Sequence, residues 1–437
     1  MPLLGFSYNF VGPDILQLPD VSISDGLLGP KGPGYKALIF LNNSQIDNNV
    51  LSKVLEFDRA GLPIFFVGEV QELPISSRPN ETYNAASMVK ELVTRGRNIY
   101  HVSTNDNLPA ALAKAHITSR VQYTTPNSSI LSVYRAESES RINYIWLLND
   151  ANVTSSFVAD FEVGLDVLPF SLDAWTGDVR PIAQYSLSRN GVEIPLKLQP
   201  YETTIIGFKP LRGERPAYVT KTSGQVEAVG YTVEGKLYAS LRGSSAVTAT
   251  GIKEQNLEAS VPQPFSINFW DVEIEDWRGS NNSRTSIEPE ILVHRFPNQS
   301  LVPWKEISPE LESVSGIGTY SATFAVPNMR NIGAYLSVGP IFNTLRVWIN
   351  GHQLSPFAAD NAKVGISSFI CSDKVNDIKI EVSTTLYNRL KAEVNSTLLT
   401  GYPLSMIYPT YTSAKSQTYG LQGPVIIHWV VNKEIEL

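Results

Sequence analysis

The sequence predicts a multidomain, mainly β protein: an N-terminal α/β module, then a β-sandwich, then a larger C-terminal jelly roll. Three observations predict it. Strand and helix patterns alternate over residues 1–118, as parallel crossovers require. From residue 119 the helical periodicity gives way to short strand patterns separated by turn residues. From residue 263 the strands continue in a stretch richer in tryptophan, consistent with one sandwich of about 175 residues. A chain of 437 residues has room for two to four domains.

In the first module, Gly5–Val11 is a strand candidate near the start. Lys36–Leu41 is a short continuous apolar run, as expected of a buried parallel strand. Val50, Leu51, Val54, Leu55 and Phe57 then recur at helical spacing until Gly61 and Pro63. Strand 64–67, helix 84–94, strand 99–102 and helix 108–115 complete a parallel, flavodoxin-like α/β pattern. The loop Gly29-Pro30-Lys31-Gly32-Pro33-Gly34 is glycine-rich, but a strand follows it instead of the Ser/Thr-bearing helix of a phosphate cradle.

Residues 119–215 carry strand candidates at 130–135, 142–148, 156–161, 181–186, 191–197 and 203–208. Asp173-Ala174-Trp175-Thr176-Gly177-Asp178 is a tight connection between two strands. Residues 216–262 continue with short polar strands, either a β-rich linker or an extra hairpin layer. In 263–437 the central stretch is Gly333–Leu354. Ala334, Leu336 and Val338 alternate with polar neighbours, and Leu345, Val347 and Ile349 resume the alternation after Gly339-Pro340. Asn350-Gly351 follows, a strong two-residue hairpin signal because both positions take positive φ. The stretch is expected to be an antiparallel, half-buried unit with Arg346, Trp348 and Asn350 on its polar face.

Composition narrows the function. The chain is 43% hydrophobic and 18% charged, and its net charge of -7 gives no reason to expect nucleic acid or an anionic membrane as partner. No apolar run is long enough to span a bilayer. Cys371 is the sole cysteine, so no intrachain disulfide forms. Seven Asn-x-Ser/Thr sequons, at Asn42, Asn80, Asn127, Asn152, Asn281, Asn298 and Asn395, favour a secreted protein. The N-terminus MPLLGFSYNF has no basic region, sustained apolar core or cleavage site. Both observations fit the downstream part of a longer extracellular protein; a cytoplasmic protein with accidental sequons is the alternative.

Candidate chemistry is sparse. Asp271, Glu273 and Glu275 alternate with Val272 and Ile274, so they share a strand face, with Asp276 beside them; a solvated outer face explains this as well as a hydroxyl-binding cluster. Asp173 and Asp178 read as turn residues. His101, His116, His294, His352 and His428 are scattered without metal-ligand spacing. No G-x-S-x-G elbow is present, and Ser315 sits in a bend before a strand. Cys371 follows an apolar run and reads as an inert core thiol. Trp277, Trp304, Trp348, Tyr387, Tyr402, Tyr408 and Tyr411 are candidates for stacking on sugar rings.

The C-terminal motifs carry a resemblance. LVPWKEI (301–307), VSGIGTY (314–320), GAYL (333–336) and VWING (347–351) resemble the galactose-binding-like sugar-binding domain of large glycoside hydrolases such as family 2. With WDVEIEDW (270–277), TTLYNRL (384–390), YGLQGPV (419–425) and DAWTG (173–177), the set is more similar to fungal secreted proteins related to the family 106 α-L-rhamnosidases. The resemblance spans nearly the whole chain. It implies a C-terminal galactose-binding-like jelly roll, and catalytic carboxylates on a (β/α) barrel that this chain has no room for. No catalytic residue is therefore carried over. The resemblance implies an accessory, carbohydrate-binding role without bond cleavage, beside an upstream catalytic barrel and on a plant-type polysaccharide or rhamnose-bearing oligosaccharide. A glycosidase with its own inter-domain carboxylate pair and a scaffold that binds no sugar are the alternatives. Within these motifs the ligand-binding candidates are Glu275, Asp276, Trp277, Trp348, Asn350, Tyr387, Asn388 and Arg389. No cofactor is implied, and a structural Ca²⁺ is left open.

Overall fold

The computed structural model describes residues 5–19, 21–41, 48–68, 85–124, 127, 129–137, 139–279, 290–341, 343–356, 363–397 and 414–437. The chain divides into two compact units, Met1–Pro216 and Ala217–Leu437.

The first unit holds a three-stranded parallel sheet in the order Leu38–Phe40, Ile64–Val67, Ile99–Val102. Its central strand, Ile-Phe-Phe-Val, is buried at all four positions because helices cover both faces. Ile64 and Phe66 pack with Val50, Leu51, Val54 and Phe57 of the Asn48–Arg59 helix. Phe65 and Val67 point the other way, onto Leu108 and Leu112 of the Leu108–Lys114 helix. A second helix on the first face, Ala85–Arg95, contributes Val89 and Leu92. The expected strand at Gly5–Val11 does not form. Residues 6–11 join no sheet: Phe6 packs on the cluster around Phe65 and Leu112, but Tyr8 and Phe10 are exposed, so the alternation does not continue along a buried face. In the glycine-rich loop the Gly29 carbonyl accepts the amides of Gly32 and Gly34, which removes them as phosphate donors.

A sandwich completes this unit. Its five-stranded sheet runs Val179–Pro181, Val167–Leu172, Thr203–Pro210, Ile142–Asn149, Ile130–Glu137. The four-stranded sheet runs Ser186–Leu187, Val192–Leu198, Ser155–Phe161, Val121–Tyr123. Phe161 and Phe208, one from each sheet, meet at 5.1 Å in the middle. The single strand expected at 181–186 is two short ones, one in each sheet. Asp173–Asp178 is a turn: the Asp173 carboxylate accepts the Trp175 and Thr176 amides, and Trp175 stands exposed at its tip.

The second unit is also two sheets face to face. A seven-stranded sheet has the main order Val219–Tyr231, Leu237–Ala249, Val425–Glu434, Ile332–Val338, Lys363–Gly365, with Gln255–Leu257 and Phe265–Ser266 attached beside it. A six-stranded sheet runs Glu290–Gln299, Trp270–Arg278, Gly316–Phe324, Asn376–Ser383, Thr344–Ile349, His352–Gln353. Period-two alternation puts Val272, Ile274, Tyr320, Val347, Ile378 and Ile380 of one sheet against Ala334, Leu336, Ile427 and Trp429 of the other.

Gly333–Leu354 is thus not one antiparallel unit. Ile332–Val338 pairs with Val425–Glu434, whereas Thr344–Ile349 pairs with Asn376–Ser383 in the opposite sheet. The stretch crosses the core at Gly339-Pro340. The Asn350-Gly351 turn does form, with both φ positive, and closes on the two-residue strand His352–Gln353.

Tyr320 sits at the centre of this core. Its hydroxyl accepts hydrogen bonds from the Trp304 indole at 2.8 Å and the Leu421 amide at 3.0 Å. Burial pushes it up to about 12, against the pull of those two donors. A raised folded-state value favours the folded state fully below the unfolded tyrosine's titration and loses that contribution as pH rises from about 10 to 12. Tyr320→Phe leaves two buried donors without an acceptor and is expected to destabilise by about 1–3 kcal/mol. It also shallows the alkaline fall in thermal midpoint. Thermal melts of both proteins from pH 7 to 12 check it; identical alkaline slopes would contradict it.

Candidate functional site

Most of the motif residues converge at one end of the six-stranded sheet. In the Trp270–Arg278 strand, Trp270, Val272, Ile274 and Asp276 face the core, and Asp271, Glu273, Glu275 and Trp277 face outward. Asp276 is therefore not beside Glu275 on a common face, because a strand inverts its side chains at each residue. It ends the apolar row as a fully buried carboxylate.

Cations make that burial tolerable. Arg389, in the first turn of the Tyr387–Thr397 helix, bonds one carboxylate oxygen. Arg278 bonds the other through two nitrogens at 2.7 Å. His294 lies 3.7 Å from that same oxygen, and its other ring nitrogen is 3.7 Å from Glu310. The Arg389 amide donates to buried Ser315, whose carbonyl accepts the Trp277 amide. Nε of Arg389 is buried and has no hydrogen-bond partner. The two guanidinium groups neutralise the buried carboxylate, and Glu310 adds a further negative charge beside His294.

Trp277 covers the outer edge of the same corner. Its indole lies over Gly316, where any Cβ would come within 2.8 Å of the ring, and its N–H donates to Glu275 at 2.8 Å. An aromatic ring beside a carboxylate on an outward face supplies two of the elements that recognise a sugar: apolar surface for the C–H face of the ring and an acceptor for its hydroxyls.

The remaining candidates have structural duties. Asn388 is buried and clamps Gln417 by two reciprocal bonds of 2.8 Å, tying the segment after residue 414 to the helix. Tyr387 is half-buried beside it. Trp348 is remote: its cross-strand row runs through Lys379 and Ser321 to Asp271, five residues or about 17 Å along the strand from Asp276. One face of its ring is taken by the Lys379 ammonium at 3.9 Å. Asn350 spends its side chain on the Phe369 carbonyl, Asn376 and the Asp377 amide. Trp304, expected as a stacking candidate, is instead 1% exposed and part of the core. Tyr402, Tyr408 and Tyr411 lie outside the described residues, as do the sequons at Asn42, Asn80 and Asn281.

The rest of the acidic row, Asp271 and Glu273, lies on a solvated face. Glu273 pairs with Arg295 at 2.8 Å in the open, and Asp271 accepts the Asn298 amide. Cys371 is half-buried, and its amide donates to Asn376. Sequence reasoning missed His294, Arg278 and Ser315. Arg278 was legible as the cation two residues after Asp276. His294 reaches the corner through the Ile274↔His294 pairing, a register that one sequence does not reveal. Among the described residues no group of three or more His, Cys, Asp or Glu side chains could hold a metal, and no helix is long and apolar enough to cross a membrane.

The fold has a clear counterpart among solved structures. A rhamnosidase from Novosphingobium sp. PP1Y matches 98% of this chain at 17% identity and a TM-score of 0.57. The match covers 36% of that enzyme, so this chain spans about a third of its length. A β-glucuronidase from Bifidobacterium dentium (16% identity, 40% of this chain, 31% of that chain, TM-score 0.25) and α-L-fucosidase isoenzyme 2 from Paenibacillus thiaminolyticus (10%, 41%, 41%, 0.26) superpose too loosely to bear on the fold. No protein-family model matches the sequence, and no curated protein matches it.

Proposed function

We propose that this chain is the accessory, carbohydrate-recognising part of a rhamnosidase-like glycoside hydrolase and that bond cleavage is done elsewhere. The observation that carries the reading is the outward-facing pair of Trp277 and Glu275 at one end of the six-stranded sheet, in a chain whose fold runs end to end along part of a rhamnosidase. Asp276 supports the division of labour. A carboxylate with no exposure, neutralised by two arginines, has no access to a glycosidic oxygen, and neighbouring Glu275 points to the opposite face. The partners that fit are rhamnose-bearing plant polysaccharides and an upstream catalytic barrel in a longer extracellular protein. The exposed sequons at Asn152 and Asn298 suit glycosylation there. A scaffold reading draws on the structural duties of Asn388 and Asp276.

Calorimetric titration with rhamnose-bearing, pectin-derived oligosaccharides separates the two. The wild-type chain is expected to bind, and Trp277→Ala to weaken binding about tenfold, equivalent to about 1.4 kcal/mol. No heat with any member of the panel would favour the scaffold.

A further inference from the structure

The outer face of the seven-stranded sheet holds a second polar cluster, remote from Trp277. Lys363, on one edge strand, bonds Glu227, on the opposite edge strand, at 3.2 Å. Three strands lie between them. On a flat sheet, four steps of about 4.8 Å would hold those backbones about 19 Å apart, beyond the reach of the two side chains. The sheet therefore curls, and the register shifts at Gly224/Val226 and Val226/Ala228 bend the long edge strand over the face. The result is a trough bridged by an ion pair.

The floor of the trough differs from the apolar face beneath it. Tyr335 and His428 sit opposite each other on paired strands, as do Ser240 and Asn432. Two tyrosines have glycine as a cross-strand partner. Tyr238 lies over Gly230, where a Cβ would come within 2.9 Å of its ring carbons, and Tyr335 leans over Gly365. A glycine partner lets each ring lie along the sheet, and both tyrosines are half-buried. Around the rings, Lys363 and Arg242 flank Glu227 at 3.2 and 3.8 Å, two cations to one carboxylate. His428 bonds Ser337 through Nε2, while its Nδ1 is buried with no partner. Burial first, then the Lys363 and Arg242 charges, holds His428 below the usual imidazole value, which favours the neutral ring.

We propose that this trough is a second saccharide site, selective for sugars that carry a carboxylate, such as uronic-acid oligosaccharides. The flat tyrosines receive pyranose rings, and the surplus cation of the Lys363–Arg242 pair receives the carboxylate. The proposal rests on the carbohydrate reading above and adds the ligand class and a separate place.

Titration of the full chain with trigalacturonate, and with its methyl ester as the neutral control, tests it. Wild type is expected to bind trigalacturonate at least fivefold more tightly than the ester. Lys363→Ala is expected to erase that preference. Glu227→Gln removes the competing carboxylate and is expected to tighten trigalacturonate binding several-fold, a gain that misfolding does not mimic. Equal affinity for acid and ester, or no response to either substitution, would overturn the trough as an acidic-sugar site. Binding of neutral rhamnose-bearing oligosaccharides, measured in the same series, would still stand as support for the accessory function; their failure alone would leave the trough standing.

Discussion

Replacing Asp276 by alanine is expected to lower the unfolding free energy of the second unit by about 3–5 kcal/mol, the usual effect of removing one partner from a buried ion pair. The asymmetry of its two arginines sets the size. The Arg278 side chain is 43% exposed and can turn to water once the carboxylate is gone. Arg389 is 16% exposed and anchored through its own amide to Ser315, so its charge stays buried without a counter-ion. The Tyr387–Thr397 helix then loses the side-chain tie from Arg389 to the sheet. Glu273→Ala is the control, because its pair with Arg295 is exposed on both sides and contributes less than about 1 kcal/mol. Urea unfolding followed by tryptophan emission reads the difference, since five of the seven tryptophans, 270, 277, 304, 348 and 429, lie in this unit. Equal losses in the two variants would refute the buried-pair account.

Trp304→Ala is expected to be comparably severe, about 3–5 kcal/mol for emptying a large core site. The indole is 1% exposed, and its N–H holds the Tyr320 hydroxyl. Two glycines are shaped around it: a Cβ at Gly318 or at Gly420 would come within 2.7 Å of the ring, and Gly420 also has φ of +109°. The Trp304 amide bonds the Tyr419 carbonyl, so the same residue seats the 419–424 segment on the core. Gly318→Ala is expected to destabilise as well, since the ring has no free space to retreat into. An unchanged urea midpoint for Trp304→Ala, with saccharide affinity lost, would return Trp304 to the ligand-contacting aromatics.

Local pattern made the fold legible where one periodicity held. Ile64–Val67 and Ile99–Val102 are strands at the predicted bounds, because short runs rich in β-branched and aromatic residues between turns have few other uses. The alternation in 270–277 correctly placed Glu273 and Glu275 outward. What failed was partnership. The apolar alternations of 334–338 and 345–349 look alike whether they pair with each other or with strands of two sheets, and only the tertiary fold decides. For the same reason the trough was invisible: Lys363, Tyr335, His428 and Glu227 are spread over more than two hundred residues and meet through sheet curvature. The Asp276–Arg389 contact was partly legible, since both residues fall in motifs of the same resemblance. Its buried, structural character was not, because an acidic run on a strand gives no sign of which member turns inward.

The most direct measurement of the central claim is an assay of rhamnose release run alongside calorimetry on the purified chain, with one rhamnose-bearing oligosaccharide. The accessory reading predicts saturable binding, weakened by Trp277→Ala, and no free rhamnose at any concentration of the chain. Release of rhamnose that disappears when a carboxylate of this chain is replaced would contradict it.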